Sequence, residues 1–386
     1  MKIAHIIPVW LDRMGGLQVC VHNVSERLAN EGCSVTVHAC GVQDVKLETS
    51  YRLKKIPRLY IHKKLFAVSK RILSMYIDRI QAKHHFDVWQ VNSGYPYGAL
   101  LAEYFQSRRI PSVLRCCGDD IQIDESLGYG VRRDPEIDRI VRRTYGLFSA
   151  CIAISKTVSD EYRRLGIDES KVHTIPNGVD CERMRRVERG SVSIREKHQI
   201  PKDAHILLTV GRNHVKKGYD SIPRIMSKLI EKGHSVYWIV VGMGCRELLD
   251  RFSDWAHRDR LVAVEELSPE TANNVPCNEL VDYYQQADVF VMLSRIETFG
   301  IVLIEAMAAG LPVVYYDAPG VRDVMQDRCG IKVPLADDDA MAEAVDRLLK
   351  DNRIATELSE RAMEYAQTYS WDNIAQKYRS VYEGCR

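Results

Sequence analysis

Short apolar runs alternate with helical-period stretches along this chain, and the alternation occurs twice. The first series opens with an apolar run at residues 2–8, passes through a glycine-containing loop into a helical pattern over 17–30 closed by Gly32, and resumes at 34–39. Further strand-like runs stand at 88–91, 111–115 and 150–154. From Ile206 the pattern restarts, with strands at 207–210, 235–241, 289–293 and 313–316 and a helix over 220–232. Parallel neighbours need a crossover connection, so strands that alternate with helices predict parallel sheets covered on both faces. Two such series predict two doubly wound α/β domains, with a ligand in the cleft between them. At 386 residues the chain is long enough for each domain to bury its own core.

Residues 294–314 read SRIETFGIVLIEAMAAGLPVV. The stretch from Phe299 to Gly310 reads as a helix, which places Glu297 at its start and Glu305 about two turns inside. A helix N-terminus suits a phosphate, and a neighbouring carboxylate suits sugar hydroxyls. Glu305 is flanked by Leu303, Ile304, Ala306 and Met307, so burial is expected and the acid needs a partner. The competing reading makes Glu297 a dipole partner and Glu305 a solvated residue.

Arg212 and Lys217 follow the run at 207–210. Cations at the carboxyl end of a parallel strand are placed to meet a diphosphate, arginine as a fork and lysine as a point charge. Lys216 faces either this site or solvent, and a solvated basic turn is the alternative for the whole loop. Gly15 and Gly16, after the first strand, let backbone N–H groups approach a phosphate or an acceptor, or simply make a tight turn.

A net charge of +2 with 27% charged residues excludes a strongly electrostatic partner, so no nucleic acid is expected. No apolar run approaches the roughly 18 residues that span a membrane, and MKIAHIIPVW continues into Leu11, Asp12 and Arg13 without a cleavage-site pattern, which predicts a soluble, unexported, cytoplasmic protein. The eleven cysteines are scattered with no Cys-x-x-Cys pair and predict buried free thiols. Neither Asp119–Asp120 nor 337–339 reads as a metal site, and no metal or cofactor is expected. Gly242 and Gly244 form an incomplete dinucleotide fingerprint, with Glu247 at the third glycine position. Residues 52–79 combine Lys54, Lys55, Arg58, Lys63, Lys64, Lys70, Arg71 and Arg79 with apolar residues. They read either as a basic amphipathic helix on an anionic membrane or as a domain helix with a solvated basic face.

The loop at Gly15–Gly16, IPNGVD at 175–180, VGRNHVKKG at 210–218 and the Glu297/Glu305 segment occur in an order and separation that resemble glycosyltransferase family 4, a retaining group with the GT-B fold of two facing Rossmann-like domains. The resemblance implies an acceptor-binding domain at 1–185, onto which a final helix at 371–386 packs back, and a nucleotide-sugar-binding domain at 200–368. It implies transfer of a hexosyl group from a UDP- or GDP-sugar to a glycan or lipid-linked acceptor, in polysaccharide biosynthesis at the inner membrane face. By the same resemblance Arg212 and Lys217 neutralise the departing nucleoside diphosphate, Glu297 meets the donor sugar and Glu305 the ribose hydroxyls. Thr298, Phe299, Gly300 and Ile301 supply backbone contacts, and Gly15 and Gly16 line the donor side of the first domain.

Two departures accompany the likeness. In VLRCCGDDI, at 113–121, Cys117 stands where many relatives have a histidine before the glycine, and a thiol is a poor proton carrier by comparison. Asp120 becomes the candidate for sugar or acceptor contact and joins the catalytic set. Residues 262–267 are expected to meet the base, but 268–277 reads as an insertion and leaves base identity open. Acceptor loops are expected at 10–14, 92–97 and 119–129. A nucleotide-sugar epimerase or phosphorylase of the same fold, or a non-catalytic nucleotide-sugar-binding subunit, remains the alternative.

Overall fold

The computed structural model describes residues 1–8, 15–40, 48–56, 66–185, 193–267, 275–326 and 328–386. The chain forms two compact units, Met1–Asn177 with Trp371–Arg386, and Gly178–Ser370.

The first unit is built on seven parallel strands: β1 (Lys2–Ile7), β2 (Ser34–Cys40), β3 (Arg52–Ile56), β4 (Val88–Val91), β5 (Ser112–Arg115), β6 (Ala150–Ala153) and β7 (Val172–Thr174), in the order β3-β2-β1-β4-β5-β6-β7. β4, β5 and β6 are buried along their whole length, as strands covered by helices on both faces must be. The strand order reverses between β1 and β4, so the loops leaving them diverge and open a crevice at their carboxyl ends. Helix Trp371–Gly384 lies on helix Gly16–Asn30. Arg27 donates to Asp372 at 3.0 Å, and the Tyr382 hydroxyl reaches the Gln90 side-chain carbonyl at 2.6 Å.

The second unit carries β8 (His205–Val210), β9 (Val236–Val241), β10 (Leu261–Val264), β11 (Val289–Met292), β12 (Val313–Tyr316) and β13 (Ile331–Val333), all parallel, in the order β10-β9-β8-β11-β12-β13. Its core packs Trp238 and Val240 against Ile222, Met226 and Leu229, all fully buried. The buried Trp238 N–H finds its acceptor in the Thr209 hydroxyl at 3.0 Å. Here the order reverses between β8 and β11, which marks their carboxyl ends as the crevice.

Every interior strand coincides with an apolar run of the sequence, whereas the edge strands β3, β7 and β13 carry polar residues and β10, LVAV, is a short apolar run. An edge strand has one neighbour and one wet side, so its sequence need not carry a continuous apolar signal. β3 is the clearest case: in RLKKI only Ile56 is buried, and its lysines discourage pairing by another chain. The reading of 52–79 as one helix is therefore corrected. Lys54 and Lys55 lie on β3, residues 57–65 fall outside the described part, and the helix runs over Phe66–His84. The loop at 10–14 and most of the insertion at 268–277 also lie outside the described residues. Asp337, one of the acids doubted as metal ligands, caps helix Asp338–Lys350 by accepting from the Ala340 N–H at 2.9 Å.

Candidate active site

The loops after β8 and β11 meet at the switch point of the second sheet, and glycine makes the meeting possible. Gly218 has φ +66°, and a Cβ there would stand 2.2 Å from the Leu293 carbonyl oxygen. Gly320, with φ +78°, brings the loop after β12 so close that its Cβ would stand 1.8 Å from the Glu297 carbonyl oxygen. Backbone hydrogen bonds fix both contacts, from Arg295 N–H to Lys216 at 2.7 Å and from Glu297 N–H to Pro319 at 2.9 Å.

A buried ion cluster lies between these loops. Lys217 Nζ donates to Glu297 Oε1 at 2.6 Å, Ser294 Oγ donates to the same oxygen at 3.0 Å, and Lys216 Nζ approaches Oε2 at 3.5 Å. Glu297 is 5% exposed and Lys216 7%, so the lysine left open by the sequence belongs to the cluster and not to solvent. Burial alone would push the Glu297 pKa up. The two ammonium groups and the Ser294 hydroxyl outweigh it and hold the carboxyl down at about 2. Burial lowers the Lys216 pKa, with Glu297 opposing. Arg212 acts electrostatically on Lys216 from the start of the loop, is itself exposed, and has no ion pair among the described residues. Two ammonium groups and a hydroxyl thus converge on one carboxylate, with a third cation acting on Lys216.

Thr298 and Phe299 are buried just before helix Ile301–Ala308, with the Phe299 ring edge-on to Tyr369 at 5.9 Å. The residue at the start of this helix, Gly300, has no side chain with which to cap it. Glu305, the fifth helical residue, is 5% exposed and accepts a hydrogen bond from the Tyr284 hydroxyl at 2.8 Å. Tyr284 is the partner that the apolar flanks of Glu305 require, and no motif spacing identifies it.

Burial pushes the Glu305 pKa up from 4.5 to about 7, with the Tyr284 hydrogen bond acting against it. A carboxyl whose folded pKa lies above its unfolded one stabilises the fold in its neutral form. That contribution is complete below pH 4.5 and is lost as pH rises through 7. The loss corresponds to about 3 kcal/mol. Denaturant unfolding of the unliganded protein at pH 5 and pH 8 is expected to show this difference, and Glu305→Gln to remove it.

The loop after β9 is closed by a carboxylate of its own: the N–H groups of Gly244 and Arg246 donate to Glu265 at 2.9 and 3.2 Å. An anion already occupies the position that a dinucleotide phosphate would need.

In the first unit Asp120 is 4% exposed and accepts from the N–H groups of Gly94, Cys117 and Gly118 at 2.7, 3.1 and 2.9 Å. Its carboxylate thereby shapes the loop after β5. The half-buried Cys117 thiol is pushed up to about 12 by burial and by the charge of Asp120, with Arg115 opposing, and stays protonated at neutral pH. Gly15 is exposed, and Gly16 begins the helix with no side-chain cap before it. Lys216, Ser294 and Tyr284 are the residues of the second-unit constellation that sequence reasoning did not assign. Ser294 carries the one available signal, a hydroxyl directly after an apolar strand.

Comparison with known proteins covers nearly the whole chain. A family model described as Glycosyltransferase Family 4 matches residues 14–183, and one described as Glycosyl transferases group 1 matches residues 192–369. An uncharacterized glycosyltransferase of Methanocaldococcus jannaschii is 26% identical, covering 99% of this chain and 98% of its own. A D-inositol 3-phosphate glycosyltransferase of Corynebacterium urealyticum is 29% identical over 66% of this chain and 62% of its own length. Among solved structures, a sucrose-phosphate synthase from Thermosynechococcus elongatus superposes with a TM-score of 0.79 at 22% identity, over 99% of this chain and 98% of that one. Anabaena HepE in complex with UDP-glucose superposes with a TM-score of 0.77 at 16% identity, over the full length of both. These two structures share the fold of two Rossmann-like domains.

Proposed function

The chain belongs to glycosyltransferase family 4, and from that premise we propose that it transfers a hexosyl group, with retention, from a UDP- or GDP-sugar to a glycan or lipid-linked acceptor. The observation that carries this reading is the gathering of cations where the β8 and β11 loops meet, Lys216 and Lys217 on Glu297 with Arg212 acting on Lys216. Such a gathering suits an anion, and a diphosphate at the glycine-led start of helix Ile301–Ala308 satisfies both features.

In this reading the bond between the anomeric carbon and the phosphate oxygen breaks first, and negative charge collects on the leaving phosphate. Arg212 and Lys217 stabilise that charge. Glu297 holds Lys217 in line and is the acid that meets the donor sugar. The leaving phosphate takes the acceptor's proton as the new bond forms on the same face, so the reaction does not need a base at Cys117. Glu305 receives the ribose hydroxyls, with Thr298, Phe299, Gly300 and Ile301 beside them. Gly15, Gly16 and the loop shaped by Asp120 serve the first domain, residues 1–185 with 371–386, which takes the acceptor, while 200–368 takes the donor.

A thermal-shift panel of UDP, GDP and their sugars is the direct test, because a ligand bound only by the folded state raises the melting temperature. One nucleotide series is expected to shift the melt, and its sugar to be consumed with an acceptor present. No shift with any member removes the reading. HepE was solved with UDP-glucose, which makes that compound the first to try.

We also propose that the first unit rests on an anionic membrane through helix Phe66–His84, close to a lipid-linked acceptor at the inner membrane face. Ser69, Leu73 and Ile77 face the domain, whereas Val68, Ile72 and Met75 are 54%, 45% and 64% exposed beside the exposed Arg71, Arg79 and Lys83. Apolar side chains ringed by cations fit the headgroup boundary of such a bilayer. Among the described residues no helix is long and apolar enough to cross a membrane. The protein is expected to co-sediment with phosphatidylglycerol-containing vesicles and not with phosphatidylcholine alone, and Met75→Glu to reduce binding severalfold.

A further inference from the structure

We propose that Tyr284 is the positioning residue of the donor site, donating its hydroxyl proton to Glu305 so that the carboxylate is presented as an acceptor to ribose hydroxyls. The inference rests on the donor reading above and names a residue outside all of its motifs.

The geometry is specific. Tyr284 belongs to helix Asn278–Gln286, is 1% exposed, and places its hydroxyl 2.8 Å from Glu305 Oε2. Its ring is stacked on Phe290 of β11 with centroids 5.9 Å apart. The helix that carries it is held at its start by Arg183, which donates to the Pro276 carbonyl at 2.9 Å and to Asn278 Oδ1 at 2.6 Å. Near its end Gln285 donates to the Met184 carbonyl at 2.9 Å. The phenol therefore has little freedom to leave Glu305.

The direction of the hydrogen bond follows from chemistry. Burial and the neighbouring Glu305 push the Tyr284 pKa well above 10, so the phenol keeps its proton and donates. A carboxylate can accept from both hydroxyls of a ribose diol, whereas a protonated carboxyl has less acceptor capacity to offer them. Hydrogen bonding to the charged form favours that form, so Tyr284 opposes the burial that would neutralise Glu305. Tyr284 is the titratable group that acts on Glu305, and Tyr219, from the turn after β8, acts electrostatically on Tyr284. Helices Cys181–Arg185 and Asn352–Ala366 and strand β12 also pack on the Glu305 helix, and none of their ionisable groups shifts this carboxyl.

The test uses the full chain and two readouts. Infrared spectroscopy of the unliganded protein follows the protonated carboxyl band that Glu305→Gln abolishes. Calorimetry measures affinity for UDP-glucose and GDP-mannose between pH 6 and pH 8.5. Tyr284→Phe removes one oxygen and no packing carbon. It is expected to move the band's titration upward by about one pH unit or more. It should also weaken the tighter of the two ligands about tenfold at pH 7, with recovery toward pH 8.5. The turnover number at saturating donor should change by less than about twofold. An unmoved band, or an affinity loss equal at every pH, overturns the proposal by reducing Tyr284 to a packing residue. Wild-type affinity in Glu305→Gln would instead overturn the donor reading on which the ribose assignment stands, while the band still reports whether Tyr284 controls the carboxyl.

Discussion

Replacing Lys217 by alanine is expected to slow sugar transfer about a thousandfold at saturating donor, with a far smaller change in KM. The expectation follows from where the charge appears. In the bound donor the diphosphate is already ionised, but the bridging oxygen gains its negative charge only as the glycosidic bond breaks. A cation fixed beside that oxygen therefore stabilises the transition state more than the ground state. Lys217 is fixed: its side chain is 11% exposed, and Glu297 holds its ammonium at 2.6 Å. Arg212 is exposed and unpaired among the described residues, so its alanine variant should raise KM more than it lowers turnover. Lys217→Arg should rescue poorly, because a planar fork does not fit a site closed by Gly218 against Leu293. Steady-state kinetics with one donor decide the matter, and turnover within about threefold of wild type for Lys217→Ala would remove the assignment.

What the sequence made visible and what it hid divide along physical lines. Interior strands announce themselves, because a strand covered on both faces must be apolar throughout, as β9 and β11 are. Arg212, Lys217, Glu297 and Glu305 could be singled out as candidates because their motifs follow strands that feed one switch point. Tyr284 was not, because its relation to Glu305 depends on how helix Asn278–Gln286 packs beside β11 and not on any spacing along the chain. Lys216 was ambiguous because adjacent side chains leave a loop in directions that only its backbone decides. Here the tight turn ending at Gly218 sends both lysines to Glu297. Asp120 was open because an acid in a glycine-rich loop reads alike whether it faces a ligand or its own backbone. Three N–H donors show it facing the latter.

Glu297→Gln is expected to be the most damaging single change to the fold, lowering stability by about 3–5 kcal/mol at pH 7. The cost comes mostly from what remains: Lys216, 7% exposed, loses the carboxylate that opposed its desolvation. Its folded pKa already lies below 10.5 and falls further without that charge. A base depressed in the fold destabilises while the unfolded chain is protonated, so the deficit should be large at neutral pH and shrink as pH rises toward 10.5. Glu297 has the opposite signature at the acid end. Its folded pKa is about 2 against 4.5, so its contribution is present above pH 4.5 and is lost as pH falls through 2, a loss the variant should not show. Adding Lys216→Met to Glu297→Gln replaces the stranded ammonium with an apolar chain of similar length, and should recover most of the stability without recovering transfer. Urea unfolding of the two single variants and the double variant across pH measures both effects. A single Glu297→Gln variant within about 1 kcal/mol of wild type would mean that this ion cluster behaves as an exposed pair.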